Sequence, residues 1–400
     1  MLYFESDLVD ISMAIKASPT ENKPSIKPIV SVAALPKIVR EKAATKANTA
    51  RESIMKPSSP ALFFIESQNL VAISTSLMLT IIVQYRSYKL LGASSTRVTY
   101  VCMRYAFLTG AGASHGAGRL IPKPPPLGHD LFKELASRFP RSWGNLPSQY
   151  ASLLCRDFEL GMQQIWERRL QLVQELMVNM ACYFSEFNPS SDKSDCYSQL
   201  VAAIAEGKWL ERVAFATLNY ECVLDVAASR AGLKIAYAAA PPPKDNLMIW
   251  KLHGACNLLP GAQVYSMRFD AESIFDGPVE PADLPVVRKR YQVEGLAVPP
   301  VMCVYMPGKP TQTVARFLTQ IRRQWAERVK EVDVVAIIGV RPNLIEGYVW
   351  KPILDCQAEV WYVGGKDGDY RQLQDSVGDR LKYLAPGFNQ AINQIIAGLR

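Results

Sequence analysis

The chain has 400 residues, of which 49% are apolar and 20% are charged, and its formal net charge is +8. This balance indicates a mostly globular protein with room for one or two domains. No dense basic tract, zinc-finger spacing or RNA-binding aromatic motif accompanies the positive charge, so we predict a solvated basic surface and no specific nucleic-acid site.

The eight cysteines are scattered along the sequence, and no two of them form a C-x-x-C pair. This spacing indicates neither a zinc ribbon nor a thioredoxin-type redox pair, and we predict no metal site. No stretch has the charged start, apolar centre and small-residue cleavage site of a secretory signal. Free thiols in a reducing cytoplasm are the simplest interpretation, so we predict a cytoplasmic location.

The first hundred residues differ in composition from the rest. Residues 15–60 are rich in Ala, Ser, Pro and Lys and keep no helical or strand period, so we predict a poorly structured extension over residues 1–100. Within it, residues 67–85 carry no charge and just reach the length of a membrane-spanning helix. Polar residues dilute this segment, and we rank a buried or non-native apolar stretch above a membrane anchor.

Strand and helix patterns alternate from residue 101 to the end, which predicts a single α/β domain over 101–400. Its first elements are expected to be a buried strand, a glycine turn with a proline-rich loop, a helix beginning near Gly128, one or two long helices and a shorter helix ending at Gly207. Their predicted ranges are 104–109, 110–126, 128–139, 150–187 and 197–205. The periodic helices form a helical insert at about 150–206.

The second half of the domain continues the alternation. We predict strands at 213–218, 247–252, 301–305, 333–339 and 359–363, helices at 222–230 and 311–330, and an irregular insertion at 260–300. The strands are continuous apolar runs separated by helices. They predict a Rossmann-like, mostly parallel sheet with helices on both faces.

The first strand ends in a turn of small residues, Gly110-Ala111-Gly112, with Ser114 shortly after. Small residues let backbone amides approach a diphosphate, and the Ser114 hydroxyl is a further donor. A tight turn without any ligand would leave the same pattern. The proline-rich loop follows so soon that no prompt helix is expected after the turn, so the dehydrogenase fingerprint fits poorly.

Two further polar residues follow apolar strands. Asn219, in T-L-N-Y-E, offers a neutral amide that can hold a ribose hydroxyl or orient a water molecule. His253, in K-L-H-G, offers an imidazole whose ordinary pKa of about 6.5 suits proton transfer near neutrality. Alone, each is more often structural, as a turn residue or a hydrogen-bonded core histidine. Together they lie at the ends of separate strands, where an open α/β sheet keeps its ligand.

The order of four motifs, G-A-G-A-S, T-L-N-Y-E, K-L-H-G and I-I-G-V-R-P-N, resembles the sirtuin-like (SIR2-like) family of NAD-binding proteins over about residues 103–375. The resemblance points to the bacterial NAD-cleaving branch, which includes anti-phage defence proteins. Deacylases of the family carry a zinc module with two Cys pairs and an Asp-Phe-Arg segment after the glycine loop. Both are missing here, so the resemblance implies no zinc.

The resemblance implies a role for each matching residue. Asn219 would hold the nicotinamide ribose and the attacking water, and His253 would be the catalytic histidine beside that ribose. Glu221 stands where the family often has Asp near the nicotinamide. The residues expected to bind NAD are Gly110, Ala111, Gly112, Ser114, Glu221, Gly339 and Asn343.

The activity implied by the resemblance is that of an NAD+ hydrolase, a glycohydrolase that takes NAD as its substrate and cleaves the nicotinamide–ribose bond. A non-catalytic sensor module that binds NAD or ADP-ribose is the alternative from another class of function. An NAD-dependent deacylase or an ADP-ribosyl transferase is a further alternative. Besides NAD, the expected partners are further copies of the chain in a homo-oligomer or a separate sensor or effector protein.

Overall fold

The computed structural model of the chain describes residues 103–238, 245–261, 277–292, 298–311 and 313–400. The chain divides into two units, Met1–Val98 and Thr99–Arg400, and all described residues belong to the second unit. The predicted N-terminal extension and its apolar segment at 67–85 therefore lie outside the described residues.

Seven of the described strands form one sheet in the order β11-β10-β9-β1-β4-β6-β5, and every neighbouring pair in it is parallel. Two antiparallel pairs, β2–β3 and β7–β8, lie outside it. In chain order the strands are β1 (Tyr105–Thr109), β2 (Leu120–Ile121), β3 (Asn188–Pro189), β4 (Val213–Thr217), β5 (Lys234–Ala236), β6 (Asn246–Lys251), β7 (Leu258–Pro260), β8 (Val279–Pro281), β9 (Val334–Ile338), β10 (Glu359–Val363) and β11 (Leu381–Ala385).

Helices surround this sheet, which confirms the predicted Rossmann-like α/β fold. The described helices are α1 (Ala111–His115), α2 (Gly128–Arg138), α3 (Ser148–Arg156), α4 (Phe158–Arg168), α5 (Leu170–Phe184), α6 (Cys196–Glu206), α7 (Val223–Arg230), α8 (Leu284–Tyr291), α9 (Ala315–Glu331), α10 (Gly347–Asp355), α11 (Gly368–Val377) and α12 (Phe388–Leu399). None of these described helices has the length and apolar character needed to span a membrane.

The centre of the sheet is buried on both faces. Every residue of β1, β4 and β9 is buried, and the rings of Phe107 and Phe215 stack across β1 and β4 with centroids 4.8 Å apart. Strands covered on both faces need apolar side chains at successive positions, which explains the continuous apolar runs in the sequence.

The helical insert contains three helices in place of the one or two long helices predicted over 150–187. The helical conformation is interrupted at Asp157, whose backbone is extended. The Asp157 carboxylate caps α4 by accepting the Leu160 amide at 3.0 Å. The helical conformation is interrupted again at Arg169, where φ is −144°. Leu154 and Ile165, from different helices, are both fully buried. The apolar period therefore runs through the breaks and does not reveal them.

The prediction of a strand at 301–305 is wrong. Met302 and Cys303 form only isolated antiparallel bridges, to Gly254 and Thr311 respectively. Both Met302 and Cys303 are buried outside the main sheet. Burial in a loop imposes the same apolar character as burial in a strand, so a short apolar run does not separate the two cases.

Several other elements differ from the sequence prediction. The span 260–300 is not wholly irregular, because its described part contains β8 and α8. The strands β5 and β11 were not predicted. They lie at the two edges of the sheet and are only partly buried, so neither has a continuous apolar run. The helices α10, α11 and α12 were also missed.

Candidate active site

The predicted site residues lie around the carboxyl edge of the sheet, at the point where the strand order reverses. On one side of β1 lie β4, β6 and β5, in this order in the sheet. On the other side lie β9, β10 and β11, which come later in the chain. The order therefore switches between β1 and β9. Open α/β sheets bind their ligands in the crevice outside the carboxyl ends of such a pair. The glycine turn follows β1 and Gly339 follows β9, so both lie at this point.

The glycine turn leads directly into a helix, which the sequence prediction excluded. Gly110 is the N-cap of α1 and has an extended backbone, and the helix begins at Ala111. This helix has only five residues. That length is too short to produce an amphipathic period, so the pattern of side chains does not predict it.

The glycines of the turn allow two backbones to approach closely. Gly339 has a φ of +60°, and a Cβ built on it would lie 1.9 Å from the amide nitrogen of Ala113. The Gly112 amide donates to the Gly339 carbonyl at 2.9 Å. This amide is therefore engaged and not available to a phosphate, whereas Ala111 is exposed at the start of the helix.

A buried group of four side chains, which we call the Ser114 cluster, lies next to this turn. It consists of Ser114, Tyr197, Asn219 and Glu221. The Ser114 hydroxyl donates to Glu221 Oε1 at 2.6 Å and lies 3.0 Å from the Tyr197 hydroxyl. Burial raises the pKa of Tyr197, so its hydroxyl stays protonated. The structure therefore brings together three of the predicted site residues.

Asn219 is fixed in this cluster by its amide nitrogen. Nδ2 lies 3.0 Å from the Gly110 carbonyl, 2.9 Å from Ser114 Oγ and 2.8 Å from Glu221 Oε1. A backbone carbonyl only accepts hydrogen bonds, so the amide nitrogen must face the Gly110 carbonyl and Oδ1 must point elsewhere. Among the described residues no donor reaches Oδ1, and this atom is not among the fully buried polar atoms that lack a partner.

Glu221 anchors the cluster to the next helix. Its Oε2 accepts the Val223 amide at 2.5 Å, at the first residue of α7. A carboxylate at a helix N-terminus is stabilised by the unpaired amides and the helix dipole. Both of its carboxylate oxygens accept hydrogen bonds from the protein. The role of Glu221 beside nicotinamide stays a prediction.

His253 belongs to a second group, the His253 cluster, made of the buried His253 and Lys309 and the partly buried Glu346 and Tyr348. His253 Nε2 lies 3.1 Å from Glu346 Oε2, and Lys309 Nζ lies 3.6 Å from Glu346 Oε1. The Tyr348 hydroxyl donates to Glu346 Oε2 at 3.3 Å. Among the described residues, His253 Nδ1 has no hydrogen-bond partner and is not a fully buried orphan.

The charges of this cluster are set by burial and by the contacts of Glu346 with His253 and Lys309. Burial lowers the pKa of His253, although Glu346 opposes this effect, so the imidazole is neutral near neutral pH. Burial alone would raise the pKa of Glu346, but the hydrogen bond from His253 and the positive charge of Lys309 lower it. The carboxylate is therefore ionised beside a neutral imidazole.

Asn219 and His253 each follow the end of a strand, and the two strands, β4 and β6, are neighbours in the sheet. Thr217 in β4 pairs with Lys251 in β6, and Asn219 and His253 each follow two residues later. No hydrogen bond joins the two clusters among the described residues. Cys303 lies between their neighbours along the chain: its carbonyl accepts the hydroxyl of Tyr220, the residue after Asn219, at 2.9 Å, and its amide donates to the His253 carbonyl at 2.8 Å.

Asn343 takes part in neither cluster. It is exposed in the loop between β9 and α10, and its carbonyl accepts the Glu346 amide at 3.0 Å. The residues of the two clusters that sequence reasoning missed are Tyr197, Lys309, Glu346 and Tyr348. Glu346 had a usable signal, because it is an acidic residue in the loop after a buried strand, the same position that singled out Asn219.

Within the described part of the chain, no group of three or more His, Cys, Asp or Glu residues could hold a metal ion. Fold and site together define an α/β protein with a Rossmann-like parallel sheet and two polar clusters at its carboxyl edge. No family model matches the sequence, and the curated proteins that were searched give no match either.

The solved structures similar to this chain include several Sir2 proteins. One, from work on the mechanism and regulation of Sir2 enzymes, is 13% identical and covers 75% of this chain and 92% of its own, with a TM-score of 0.38. A Sir2 homologue–NAD complex is 14% identical, with coverages of 74% and 90% and a TM-score of 0.33. A Sir2 protein bound to a myristoylated histone peptide is also 14% identical, with coverages of 74% and 90% and a TM-score of 0.37. At these values the likeness assigns no family, activity or site residue to this chain.

Proposed function

We propose that the protein is an NAD glycohydrolase that breaks the bond between nicotinamide and ribose. The observation that carries this proposal is that Asn219 and His253 each lie two residues beyond the paired ends of adjacent parallel strands, beside the strand pair where the order switches. Each side chain is held at one end and keeps one polar atom, Oδ1 or Nδ1, without a protein partner among the described residues.

The chemistry of this bond suits such a site. The leaving group is a cationic pyridinium, so it departs without an acid to protonate it and leaves an oxocarbenium-like ribose. The protein then has to hold the ribose and position a water molecule. In our proposal Asn219 Oδ1 orients the water, and neutral His253 accepts its proton or binds a ribose hydroxyl.

This proposal assigns fewer residues to the NAD phosphates than the sequence resemblance implied. Ser114 is fully buried and its hydroxyl donates to Glu221, which supports a role in holding Asn219. The Gly112 amide is engaged by Gly339. Ala111, at the exposed start of α1, is left as the phosphate contact in this turn, and the exposed Asn343 remains a proposed contact near the adenosine end.

Incubation of the purified full-length chain with NAD, with nicotinamide and ADP-ribose followed by chromatography, tests the proposal. We expect His253→Ala to slow nicotinamide release by about 10²–10⁴-fold, the usual cost of losing acid–base assistance. We expect Asn219→Ala to lose most of the release as well, because the attacking water is no longer oriented. The melting temperature reports whether each variant still folds. The matched control is His129→Ala, because the His129 side chain is 68% exposed and lies on α2.

Full activity is expected of this control. A wild-type chain that leaves NAD intact, both as the isolated protein and in its oligomeric or ligand-triggered forms, would overturn the hydrolase proposal. Activity retained in His253→Ala would instead remove His253 from the mechanism and leave the reaction itself in place.

A second candidate is a module that binds NAD or ADP-ribose without turnover. It is favoured by the extent to which Ser114, Asn219 and Glu221 already bond one another, since such a site is rigid before any ligand arrives. Calorimetry separates the two candidates, because a sensor binds NAD and releases heat but produces no nicotinamide.

We further propose anti-phage defence in the bacterial cytoplasm as the setting of this activity, with a homo-oligomer or a separate sensor chain supplying the trigger. The proposal draws on the motif resemblance. It is tested in phage-infected bacteria that express the chain, in which cellular NAD should fall with the wild type and persist with His253→Ala. Equal NAD levels in the two strains would contradict it.

A further inference from the structure

We infer that Glu346 is a positioning residue for His253: it accepts a hydrogen bond from Nε2–H and so keeps the unprotonated Nδ1 as the nitrogen that serves the reaction. The inference rests on the proposed function for its catalytic meaning. The geometry behind it does not depend on that function, since His253 Nε2 lies 3.1 Å from Glu346 Oε2 and both side chains are nearly buried.

The tautomer follows from the chemistry of the two groups. An ionised carboxylate only accepts hydrogen bonds, so a neutral imidazole that is bonded to it must carry its proton on Nε2. The lone pair then lies on Nδ1, the ring nitrogen without a partner among the described residues. A base must present a lone pair, and Glu346 supplies the reason that this pair is on Nδ1.

Two more groups hold the Glu346 carboxylate in place. Lys309 lies 3.6 Å from Oε1, and Tyr348 donates to Oε2. Lys309 is itself buried and pairs with Glu159 at the start of α4, so the helical insert contributes to the arrangement. The two oxygens of Glu346 thus have different partners, a cation on one and an imidazole with a phenol on the other.

The other charged groups around this pair fit the same assignment. Arg322 of α9 lies over the Tyr348 ring at 3.8 Å and donates to the Leu252 carbonyl at 3.0 Å, so its charge opposes protonation of His253. Burial raises the pKa values of Tyr220, Tyr305, Tyr348 and Cys303, and these groups stay neutral near neutral pH.

Glu346→Gln gives a sharp test because the side-chain amide has one accepting oxygen and one donating NH2 group in place of two accepting oxygens. Lys309 has only donors, so the single amide oxygen should turn to Lys309 and the amide NH2 should face His253. Nε2 must then accept, and the ring should change to the tautomer protonated on Nδ1. The hydrogen bond would survive, but the lone pair would move to the wrong nitrogen, which is the known route by which a carboxylate-to-amide change disables a catalytic histidine.

The measurement is nitrogen NMR of the imidazoles in full-length protein labelled with ¹⁵N-histidine. The chain has only 3 histidines, and His253→Ala assigns the relevant signals. We expect the Nε2–H tautomer in the wild type and the Nδ1–H tautomer in Glu346→Gln. Glu346→Asp keeps an acceptor and should keep the wild-type tautomer. Glu327→Gln, on the exposed side of α9, is the control and should change nothing.

Kinetics give the second readout. We expect Glu346→Gln to lower kcat by about 10²–10⁴-fold with little change in KM, since a base is lost and not a binding contact. Loss of the carboxylate also lowers the pKa of His253, so the acid limb of any remaining activity should move to lower pH. A purely structural pair would not move this limb. Glu346→Asp should restore most of the rate.

Three results would overturn the inference: an Nδ1–H tautomer in the wild type, an unchanged tautomer in Glu346→Gln, or an unchanged kcat in that variant when the wild type is active. The first needs no change at Glu346 and decides the matter even where Glu346→Gln does not fold. A wild type that never releases nicotinamide, combined with the expected tautomer change, would overturn the hydrolase proposal and support the positioning of His253 by Glu346.

Discussion

At the residue scale, the site is built from side chains that are each held at one end. Asn219 is fixed through its nitrogen by three acceptors, and His253 is fixed through Nε2 by Glu346. Restricting a side chain before the ligand arrives removes an entropy cost that binding would otherwise carry. The same bonds decide which atom remains for a ligand, so the neighbours of a site residue determine its function as much as its own chemistry does.

Changing the Asn219 amide to a carboxyl tests the hydrogen-bond assignment directly. In Asn219→Asp the introduced oxygen would face the Gly110 carbonyl and the Glu221 carboxylate, where the amide nitrogen now lies 2.8–3.0 Å away. The ionised form is disfavoured there by both like charge and burial, so its folded-state pKa is raised above the ordinary value of about 3.9. Protonation restores a donor and removes the repulsion.

The sign of the pH dependence follows. A group with a raised folded-state pKa stabilises the protein below its unfolded pKa and loses this contribution as the pH rises through the folded value. We expect the free energy of unfolding to fall by more than about 2 kcal/mol relative to wild type at pH 7, and by much less near pH 4. Urea unfolding at both values measures this. Asn343→Asp, at an exposed position, is the control, and an equal loss at both pH values would contradict the assignment.

At the element scale, the switch between β1 and β9 depends on two backbones in near contact. The Gly110 amide donates to the Ile338 carbonyl at 3.0 Å, and the Gly112 amide donates to Gly339 at 2.9 Å. These bonds extend the β1–β9 pairing one step beyond the last paired residues, Thr109 and Ile338. The start of α1 is thereby joined to the end of β9, and the position of Ala111 in the proposed phosphate contact follows from this junction.

Gly339→Ala should therefore disturb both fold and function. A methyl group there would meet the Ala113 nitrogen at 1.9 Å, and the φ of +60° disfavours any residue with a Cβ. We expect a loss of about 2–5 kcal/mol in the free energy of unfolding, from the left-handed backbone together with overpacking. Gly365→Ala is the matched control after the neighbouring strand, because nothing lies within 4 Å of its Cβ position. Equal stability of the two variants would refute the packing argument.

Elements were predictable from the sequence where burial was two-sided. The central strands β1, β4 and β9 are predicted by their unbroken apolar runs. The edge strands β5 and β11 have mixed exposure and no such run. The helix α1 is too short to have a period, and the breaks at Asp157 and Arg169 do not interrupt the buried face of the insert. In each case the apolar pattern of the sequence marks neither the element nor its end.

At the scale of the whole molecule, the same limit explains what the sequence revealed of the site. Asn219 and His253 follow strands, so a local pattern singles them out. The bond between His253 and Glu346 spans 93 positions, and the pairing of Lys309 with Glu159 spans 150. No local pattern records such partners, because they are brought together only when the insert, the sheet and the loop before α10 pack. The predicted roles of the site residues remain to be tested by the assays above.

A buried ion pair under the site gives the last prediction at this scale. Lys251 of β6 and Asp225 of α7 lie 2.5 Å apart with side-chain exposures of 1% and 6%. Lys251 also donates to the Glu221 carbonyl at 3.1 Å, and Asp225 accepts the Tyr237 hydroxyl at 2.7 Å. The pair thus connects sheet, helix and the Ser114 cluster.

Removing one partner of this pair leaves an uncompensated charge in the interior, whereas removing both leaves none. We expect Lys251→Met or Asp225→Leu alone to lower the free energy of unfolding by about 3–5 kcal/mol, and the double variant to recover most of that loss. Urea unfolding of the four proteins gives the coupling energy as a double-mutant cycle. Additive losses in the double variant would show that the two residues stabilise the protein independently. If nicotinamide release falls in the stable double variant, we attribute the loss to the missing hydrogen bond from Lys251 to the Glu221 carbonyl, because this bond joins the ion pair to the Ser114 cluster.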